Sequence, residues 1–378
     1  MKFYKLILIS LFFEAGFFCS AQSGVNSIDS VFTGGNYRKF RVYIPNMYDG
    51  TGPVPLVLNF HGYTSNAAQQ QIYSNFMAIA DTANFIIAHP EGSTILGSQF
   101  WNTGLLSSPD DVLFTNDLIS FLMAKYNIDF SRIYSCGMSN GGIMSYYLAC
   151  NLPSRIAAIA SVTGSMFNGW YTACDPGRPI PVMEIHGTAD GVVPYNGSND
   201  FSPIDSVVKK WVVNNNCNPA ITSSVTDVNL SDNSYVLNYR YTGGLMGSSV
   251  ELYKVIGGGH AWPGSIPLFP NTNLDFNATV EIWRFFRQYK LTQFIADAGI
   301  EKTELRNELI VFPNPSADRI FVNGINVDCN YKIYGVDGKE LLTQTGENEI
   351  NISGLTDGIY FLHVLRNERK AVFKIIKN

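Results

Sequence analysis

The chain has 378 residues, a formal net charge of −5 at pH 7 and 46% hydrophobic residues, among them 25 Phe, 20 Tyr and 5 Trp. This length exceeds that of a typical domain, so we expect two domains or one large domain with an appendage, and enough apolar residues for a sizeable core. The acidic balance and the absence of Lys/Arg clusters in the sequence argue against nucleic acid as a partner, because phosphate binding needs a concentrated positive face.

Residues 1–21 have the pattern of a secretory signal peptide. Two lysines near the start precede a short apolar run, and small residues end the run just before Gln22, where cleavage is expected. The run is too short and too interrupted for a membrane span, and no other segment of the sequence is apolar enough for one. A lipidated Cys19 is the alternative, but the residues before it do not resemble a bacterial lipobox.

Export would permit disulfide bonds. Cys174 and Cys217 lie in polar, turn-rich stretches, and we expect these two cysteines to pair. Cys136 is expected to be a buried small hydrophobic residue. Cys150 is then either unpaired or bonded to Cys136, and Cys329 is expected to be unpaired.

Along residues 36–290, buried apolar stretches alternate with helical patterns. Strands are expected at 36–44, 54–60, 85–88, 133–136, 156–162, 180–185 and 251–256. Helices are expected at 66–84, 111–126, 143–149, 204–213 and 278–289. This alternation predicts a doubly wound, mostly parallel α/β sheet, in which functional residues lie on loops after the carboxyl ends of the strands.

The pattern changes after residue 290. A polar linker is expected over 291–308, followed by short alternating stretches that Asn-Pro, Asp-Gly and Asn-Gly turns divide. Strands are expected there at 309–312, 319–322, 331–334, 359–365 and 371–376. The predicted organisation is a signal peptide (1–21), an α/β domain (22–290), the linker (291–308) and a small antiparallel β-sandwich (309–378).

The most informative segment of the α/β region is RIYSCGMSNGG, from Arg132 to Gly142. An apolar strand pattern runs into a G-x-S-x-G turn, and a helical pattern follows at once. This is the context of a nucleophile elbow, in which glycines flank the serine because a Cβ would collide with neighbouring backbone. Ser139 is therefore expected in a strained conformation, with its hydroxyl exposed above the sheet edge at a helix N-terminus.

A serine hydroxyl becomes a good nucleophile only when a base takes its proton and a carboxylate orients that base. After such an elbow, the order along the chain is serine, acid, histidine. His260 is the candidate base, because it follows a strand in a glycine-rich loop. Asp190 is the candidate acid, because it lies on the loop after the 180–185 strand. The rival acids, none of which follows a strong buried strand, are Asp175, Asp200 and Asp205.

An oxyanion hole in this context uses backbone N–H groups. Asn140, directly after the nucleophile, is expected to supply one of them. Tyr63, in the loop after an early strand, is expected to supply the other, with Thr64 as the near alternative. His61, just before that loop, is expected to order it rather than to act as a catalyst.

Three aromatic residues are candidates for lining an acyl or sugar pocket, with core packing as the alternative for each. They are Trp101, Trp262 and Tyr195. The sequence contains no H-E-x-x-H, no C-x-x-C and no phosphate-binding glycine loop, so neither a metal nor a nucleotide cofactor is expected.

With these residues in place, residues 36–290 resemble the secreted esterase family that includes feruloyl esterases, acetyl xylan esterases and polyhydroxybutyrate depolymerases. The matching stretches are PLVLNFHG, WNTG with DDVLFTNDLISFL, RIYSCGMSNGG, PVMEIHGTADGVVPY and GGGHAWPG. The resemblance implies an α/β-hydrolase fold with Ser139 as nucleophile, Asp190 as acid and His260 as base. The loop after the HG pair departs from the family's small, glycine-rich form, because it carries the sequence YTS.

Residues 309–378 resemble the C-terminal sorting domain of type IX secretion in Bacteroidetes. The matching stretches are VFPNPSADRIFV, YKIYGVDGKELL, NISGLTDGIYFLHV and the ending KIIKN. The resemblance implies a partnership with the type IX machinery and passage across the outer membrane, followed by release or attachment at the cell surface. A substrate-binding sandwich is the alternative.

Together these features predict a secreted carboxylic ester hydrolase, a feruloyl or acetyl xylan esterase that acts on plant cell-wall polysaccharide esters. The enzymatic alternative is depolymerisation of an aliphatic polyester such as polyhydroxybutyrate. The alternative from another class is a non-catalytic surface binding protein on a hydrolase scaffold. The complete set of serine, acid and histidine argues against this alternative.

Overall fold

The computed structural model describes residues 24–95, 97–219, 221–266, 268–291, 309–323, 329–336, 338–366 and 369–378. The expected signal peptide lies outside these residues, as does the expected linker apart from Leu291. No helix within the described ranges is both long enough and apolar enough to cross a membrane.

A ten-stranded sheet forms the centre of the larger unit. The strands of this unit are β1 (Val25–Thr33), β2 (Asn36–Ile44), β3 (Val54–Phe60), β4 (Ile86–Pro90), β5 (Ser93–Ile95), β6 (Ser98–Phe100), β7 (Ile128–Met138), β8 (Ala158–Val162), β9 (Val182–Gly187), β10 (Ile221–Thr226), β11 (Tyr235–Tyr241) and β12 (Val250–Ile256). The helices are α1 (Ala67–Ser74), α2 (Met77–Ala83), α3 (Asp111–Lys125), α4 (Asn140–Asn151), α5 (Asn168–Tyr171), α6 (Ile204–Asn214) and α7 (Ala278–Phe286). β5 and β6 pair with each other as a separate hairpin.

The middle of the sheet is parallel. The neighbouring strands β4, β3, β7, β8, β9 and β12 run in one direction. β2 and β1 extend one side antiparallel, and β11 and β10 extend the other. The predicted doubly wound, mostly parallel sheet is therefore confirmed. Because the carboxyl ends of the parallel strands share one edge, the loops after β3, β7, β9 and β12 gather on the same side.

Both faces of the sheet are covered by helices. All seven residues of β3 are buried, with Leu56 and Leu58 in one apolar cluster and Val57 in the other. Side chains of α3, α4 and α6 belong to the first cluster, and side chains of α1, α2 and α7 belong to the second. A strand buried on both faces needs apolar residues or polar residues with buried partners. Six of the seven residues of β3 are therefore apolar, and the exception, Asn59, bonds to Ser74 and Gln70 of α1.

Most predicted elements coincide with observed ones, but the helix expected over 66–84 is two helices. Asn75 ends α1 in the left-handed conformation, with φ 47° and ψ 47°, and its N–H donates to Gln71 O. Asparagine tolerates this conformation better than most residues with a Cβ. The chain therefore turns between α1 and α2, and each of these helices is short.

The described residues between 309 and 378 form an all-β region with two antiparallel sheets. Its strands are β13 (Ile310–Phe312), β14 (Arg319–Asn323), β15 (Asn330–Tyr334), β16 (Glu340–Thr345), β17 (Glu349–Asn351), β18 (Gly358–Arg366) and β19 (Arg369–Lys377). One sheet has the order β13-β14-β17 and the other β16-β15-β18-β19. Ile320, Tyr331 and Leu362 belong to an apolar cluster that the two sheets share. The predicted small β-sandwich is thus confirmed as a region with its own core.

The predicted disulfide between Cys174 and Cys217 is wrong. Cys174 bonds to Cys150, with the two Cα atoms 5.3 Å apart. Cys217 is a free, half-buried thiol whose Sγ lies 3.9 Å from the Ser248 carbonyl oxygen. Cys150 lies in the last turn of α4, and the chain between it and Cys174 runs through β8 before it returns. Their proximity therefore follows from the fold and not from the local sequence pattern.

Replacing both Cys150 and Cys174 with serine is expected to lower the free energy of unfolding by about 3 kcal/mol. The bond joins residues 24 positions apart and so restricts the unfolded chain. Guanidinium denaturation measures the loss. Cys217→Ser is the matched control and is expected to cost less than about 1 kcal/mol, since Cys217 forms no disulfide and its Sγ donates only a long hydrogen bond, of 3.9 Å, to Ser248 O. Equal losses in the two proteins would contradict this pairing.

Candidate active site

Ser139 lies at the turn between β7 and α4. Its backbone has φ 56° and ψ −120°, a conformation that costs free energy for a residue with a Cβ and that recurs at functional sites. A Cβ added at Gly137 would lie 2.5 Å from Phe60 O, and one at Gly141 would collide with the same carbonyl. The predicted strand-turn-helix context is present, and the flanking glycines are required because β3 approaches the turn so closely.

The predicted acid and base are hydrogen-bonded to each other. Asp190 follows β9 and His260 follows β12, and these two strands are parallel neighbours. His260 Nδ1 lies 2.8 Å from Asp190 Oδ2, and the ring nitrogen donates because a carboxylate accepts. His260 Nε2 is then the ring nitrogen that can take up a proton. β7 lies two strands from β9 in the sheet, which brings Ser139 to the same edge.

Hydrogen bonds fix the Asp190 carboxylate, which is 5% exposed. Oδ1 accepts the N–H groups of Val192 and Val193 at 2.8 and 2.9 Å. Oδ2 accepts the proton of His260 Nδ1 and also lies 3.4 Å from His186 Nε2. Burial acts to raise the pKa of Asp190, but the contacts with His186 and His260 outweigh burial and hold this pKa well below its usual range. Asp190 is therefore ionised at neutral pH.

The rival acids have other partners. Asp175 Oδ1 accepts the N–H of Gly177 in a turn. Asp205, at the start of α6, accepts the hydroxyl of Tyr195 at 2.5 Å, and Asp200 is exposed on a loop. The hydrogen bond to His260 therefore selects Asp190 among the four aspartates.

The backbone N–H groups of Asn140 and Tyr63 remain the candidates for an oxyanion hole. Asn140 is the first residue of α4, where a helix leaves its N–H groups without intrahelical partners. Among the described residues, the Tyr63 N–H has no hydrogen-bond partner, whereas the alternative donor, Thr64 N–H, is bound to a carbonyl of β6 at 2.8 Å. A Cβ added at Gly62 would lie 3.5 Å from Ser139 Cβ, so this loop runs beside the serine.

Comparison with known proteins gives the following similarities. Residues 113–228 match the family model described as phospholipase/carboxylesterase. The chain is similar to feruloyl esterase B of Piromyces equi, with 31% identity over 238 residues that cover 59% of this chain and 42% of that protein. It is also similar to a bifunctional acetylxylan esterase/xylanase of Neocallimastix patriciarum, with 25% identity over 262 residues that cover 69% of this chain and 35% of that protein. The chain thus spans less than half the length of these two relatives.

Among solved structures, an acetyl xylan esterase from Aspergillus awamori matches with a TM-score of 0.51 and 14% identity, covering 69% of this chain and 99% of that chain. At 14% identity this similarity shows a shared fold and nothing about function. The larger unit has the α/β-hydrolase fold. Residues 310–378 match the family model of a secretion system C-terminal sorting domain. Both resemblances that the sequence suggested are confirmed by these matches.

The three aromatic residues predicted to line a substrate pocket lie in the core of the α/β-hydrolase domain. Trp101 and Trp262 are each 1% exposed, and Tyr195 is 4% exposed. Trp101 Nε1 donates to His61 O at 2.9 Å, and Trp262 Nε1 donates to Thr279 Oγ1 at 2.9 Å. The pocket prediction is wrong for all three, because their side chains are buried in the two apolar clusters and the two indole N–H groups bond to buried partners. The alternative, core packing, describes them correctly.

Trp101 instead braces the loops of the candidate oxyanion hole. Asn140 Oδ1 accepts the Trp101 N–H at 2.6 Å, and Asn140 Nδ2 donates to Trp101 O at 3.1 Å. The neighbouring His61 donates from Nδ1 to Gly62 O at 2.7 Å and accepts the Gly92 N–H on Nε2 at 2.9 Å. Burial lowers the pKa of His61, so this ring is neutral. His61 therefore orders its loop, as the sequence suggested.

Other apolar side chains are exposed on the loops that carry the site. Tyr63, Val192 and Phe269 are 60%, 62% and 50% exposed. They lie on the loops after β3, β9 and β12, which carry the candidate oxyanion donor, the acid and the base. Exposed apolar groups on loops that share one edge of a sheet are candidates for a binding surface. The sequence analysis missed Val192 and Phe269, because only the fold shows that these side chains are exposed on the loops that carry Asp190 and His260.

The sequence analysis also missed two buried groups behind Asp190. His186 is not among the predicted site residues, yet its Nε2 lies 3.4 Å from Asp190 Oδ2 and its Nδ1 lies 2.7 Å from Glu184 Oε1. A signal was available, since Glu184 and His186 are alternate residues of one strand and therefore point to the same face. Titratable residues inside a buried strand need polar partners. The next acidic residue along the chain after His186 is the candidate acid, Asp190, which could therefore have been predicted as a partner.

Proposed function

We propose that the chain is a secreted carboxylic ester hydrolase in which Ser139 is the nucleophile, His260 the base and Asp190 the acid. The observation that carries the proposal is the 2.8 Å hydrogen bond between His260 Nδ1 and Asp190 Oδ2, at the sheet edge where Ser139 occupies a strained elbow. The order serine, acid, histidine along the chain is the one that α/β-hydrolases use.

Catalysis then proceeds through an acyl-enzyme. Ser139 Oγ attacks the ester carbonyl carbon while His260 Nε2 takes the hydroxyl proton, and the N–H groups of Asn140 and Tyr63 bind the oxyanion. The tetrahedral intermediate collapses, the bond to the alcohol oxygen breaks, and His260 gives its proton to the departing alcohol. His260 next takes a proton from water, whose oxygen attacks the acyl carbon. The carboxylic acid leaves as Ser139 regains its proton.

The proposed substrates are feruloyl or acetyl esters of plant cell-wall polysaccharides. The two similar curated proteins are named as a feruloyl esterase and an acetylxylan esterase/xylanase, which supports this substrate class. The exposed apolar side chains of Tyr63, Val192 and Phe269 further support an acyl group with an apolar face, such as the aromatic ring of ferulate.

Export by the type IX machinery fits such substrates. The match of residues 310–378 to a secretion system sorting domain supports this route, and the N-terminal pattern over 1–21 supports passage across the inner membrane first. A polysaccharide is too large to enter the cell intact, so its esterase must act at the cell surface or in the medium.

The purified protein is expected to hydrolyse methyl ferulate and to release acetate from acetylated xylan, with kcat on the order of 1–100 s⁻¹. Chromatography of the released acids measures both reactions. A polyhydroxybutyrate suspension is expected to stay turbid under the same conditions. Clearing of that suspension without release of ferulate or acetate would indicate that the substrates are aliphatic polyesters instead. No turnover of any ester, with no labelling by a fluorophosphonate probe, would instead indicate a binding protein.

A further inference from the structure

His186 is a fully buried histidine directly behind the acid of the proposed trio. It lies on β9, four residues before Asp190, and its side chain is 0% exposed. Nδ1 lies 2.7 Å from Glu184 Oε1, and Nε2 lies 2.8 Å from Val193 O and 3.4 Å from Asp190 Oδ2. Both ring nitrogens thus face oxygen atoms of a carboxyl or carbonyl group.

These partners decide how many protons the ring carries. A neutral imidazole has one N–H and one bare nitrogen. Val193 O can only accept, so Nε2 carries a proton. Glu184 Oε2 accepts the Tyr146 hydroxyl at 2.7 Å, and an ionised Glu184 also presents Oε1 as an acceptor, so Nδ1 carries a proton as well. A neutral His186 would require the second proton to lie on Glu184 Oε1.

The carboxylates on opposite sides of the ring favour its charged form. Burial alone would lower the pKa of His186, but the contacts with Asp190 and Glu184 outweigh burial and raise this pKa to about 9. Burial also raises the pKa of Glu184, and the hydrogen bonds from His186 and Tyr146 oppose that rise. A positive ring between the two carboxylates gives each buried charge a partner, which buried charges require.

We propose that His186 is a permanent imidazolium that positions Asp190 and partly neutralises its charge, and that it thereby sets the pH range in which His260 works as a base. The inference rests on the proposed function, because Asp190 and His260 act together there. His186 acts through Asp190 and is a positioning residue.

The titratable groups around His186 come from several packed elements. They are Glu184 on β9, Asp190 and Tyr195 in the following loop, Lys254 on β12, Tyr146 on α4, Asp205 on α6, and His260 beyond Asp190. Lys254 is the cross-strand partner of His186, but its Nζ lies 4.4 Å from the centre of the Tyr195 ring and 3.8 Å from Asp205. The Tyr195 ring meets His186 edge-on at 5.9 Å. Of these groups, only the two carboxylates of Glu184 and Asp190 lie within 4 Å of the ring nitrogens.

The positive charge of His186 destabilises the protonated form of His260. The negative charge of Asp190 stabilises protonated His260, and a positive charge on the far side of Asp190 opposes that stabilisation. His186 stands between Glu184 and Asp190, so it is nearer to His260 than Glu184 is. When both the charge of Glu184 and that of His186 are lost, the loss of the nearer positive charge dominates. Protonated His260 then becomes more stable. As the pH falls, His260 is therefore protonated earlier, and activity is lost at a higher pH than in the wild type.

Nitrogen NMR of the full chain with ¹⁵N-labelled histidine tests the protonation of His186 directly. The chain has five histidines, and His186→Gln assigns the two His186 signals by their disappearance. We expect both nitrogens to have the chemical shifts of protonated nitrogens throughout pH 6 to 8. One protonated and one bare nitrogen would overturn the proposal, because the proton would then lie on Glu184. This readout does not depend on esterase activity, so it separates failure of this inference from failure of the proposed function.

Glu184→Gln tests the positioning role. The amide keeps the shape of the carboxylate and can donate to Nδ1, so His186 is expected to become neutral. The acid limb of the kcat/KM profile for p-nitrophenyl acetate is expected to move up by roughly half to one pH unit, with KM changed less than about twofold. The ¹⁵N spectrum of the variant is expected to show one protonated and one bare nitrogen for His186.

Glu251→Gln is the matched control, because Glu251 is also a buried carboxylate, 5% exposed and paired with Arg284. It is expected to leave the acid limb in place. His186→Gln is the second variant and is expected to move the limb in the same direction as Glu184→Gln. An acid limb that stays at the wild-type pH in both folded variants would overturn the positioning role. If neither variant folds, glutamine variants of the other four histidines assign the His186 signals by elimination, and the ¹⁵N spectrum of the wild-type protein still decides the charge state of His186.

Discussion

Replacing Ser139 with alanine is expected to lower kcat for p-nitrophenyl acetate by about 10⁵-fold, because no acyl-enzyme can form without Oγ. Alanine retains a Cβ, so the backbone conformation at φ 56° is as accessible as in the wild type, and the fold should persist. The remaining rate would come from substrate binding and from the N–H groups of Asn140 and Tyr63. Release of p-nitrophenol, followed by absorbance, measures the loss.

Ser145→Ala is the matched control for this experiment. Ser145 is a buried serine on the same helix, α4, and its hydroxyl lies 2.9 Å from that of Ser135. Its loss is expected to lower stability by about 1 kcal/mol and to leave turnover and fluorophosphonate labelling in place. Labelling should vanish in Ser139→Ala. Retention of more than a hundredth of the wild-type kcat by Ser139→Ala would contradict the assignment of the nucleophile.

The elbow was predictable from sequence because its constraints are local. Gly137 and Gly141 must be glycine wherever β3 passes this close to the turn, and the apolar strand and the helical pattern lie on either side of Ser139 in the sequence. The central strands were predictable for a similar reason, since burial on both faces leaves a continuous apolar run in the sequence. Asp190 and His260 followed from the order of the strands and from their positions at strand ends.

The edges of the sheet could not be predicted in the same way. β1 and β11 pair antiparallel at the flanks, and their sequences mix polar and apolar residues without a clear period. In β1, Val25 and Ile28 are each 63% exposed, so the strand is held by its backbone pairing with β2 more than by burial of side chains. Patterns of burial carry little information about such strands.

The disulfide and the pocket aromatics were predicted wrongly because both depend on contacts between distant residues. Cys150 and Cys174 meet only after β8 has taken its place in the sheet. Trp262 lies two residues after His260 and Trp101 lies in a turn-rich loop, yet a tryptophan suits a core and a pocket wall equally well in composition. What distinguishes the two cases is the partner of the indole N–H, here His61 O and Thr279 Oγ1, and the sequence does not reveal that partner.

Replacing Asp190 with asparagine is expected to lower kcat/KM by about 10⁴-fold, although the two side chains are nearly equal in shape. The N–H groups of Val192 and Val193 donate to Oδ1, so the amide oxygen must take that position. The amide NH₂ group then replaces Oδ2 and points at His260 Nδ1. Nδ1 becomes an acceptor, the ring proton moves to Nε2, and Nε2 can no longer take the proton of Ser139.

Comparison with Asp190→Ala separates the tautomer of His260 from the charge of the acid. Alanine also removes the charge, but it leaves His260 able to adopt either tautomer, so we expect this variant to keep more activity than asparagine does. The asparagine NH₂ would also meet His186 Nε2–H, which lies 3.4 Å from Oδ2 in the wild type, so Asp190→Asn should lower stability by about 1–2 kcal/mol. Asp200→Asn, on an exposed loop, serves as the control with unchanged activity. If alanine proves no more active than asparagine, the tautomer that asparagine imposes does not cause the loss of activity, and the loss comes instead from what both variants lack, the carboxylate that charges and holds His260.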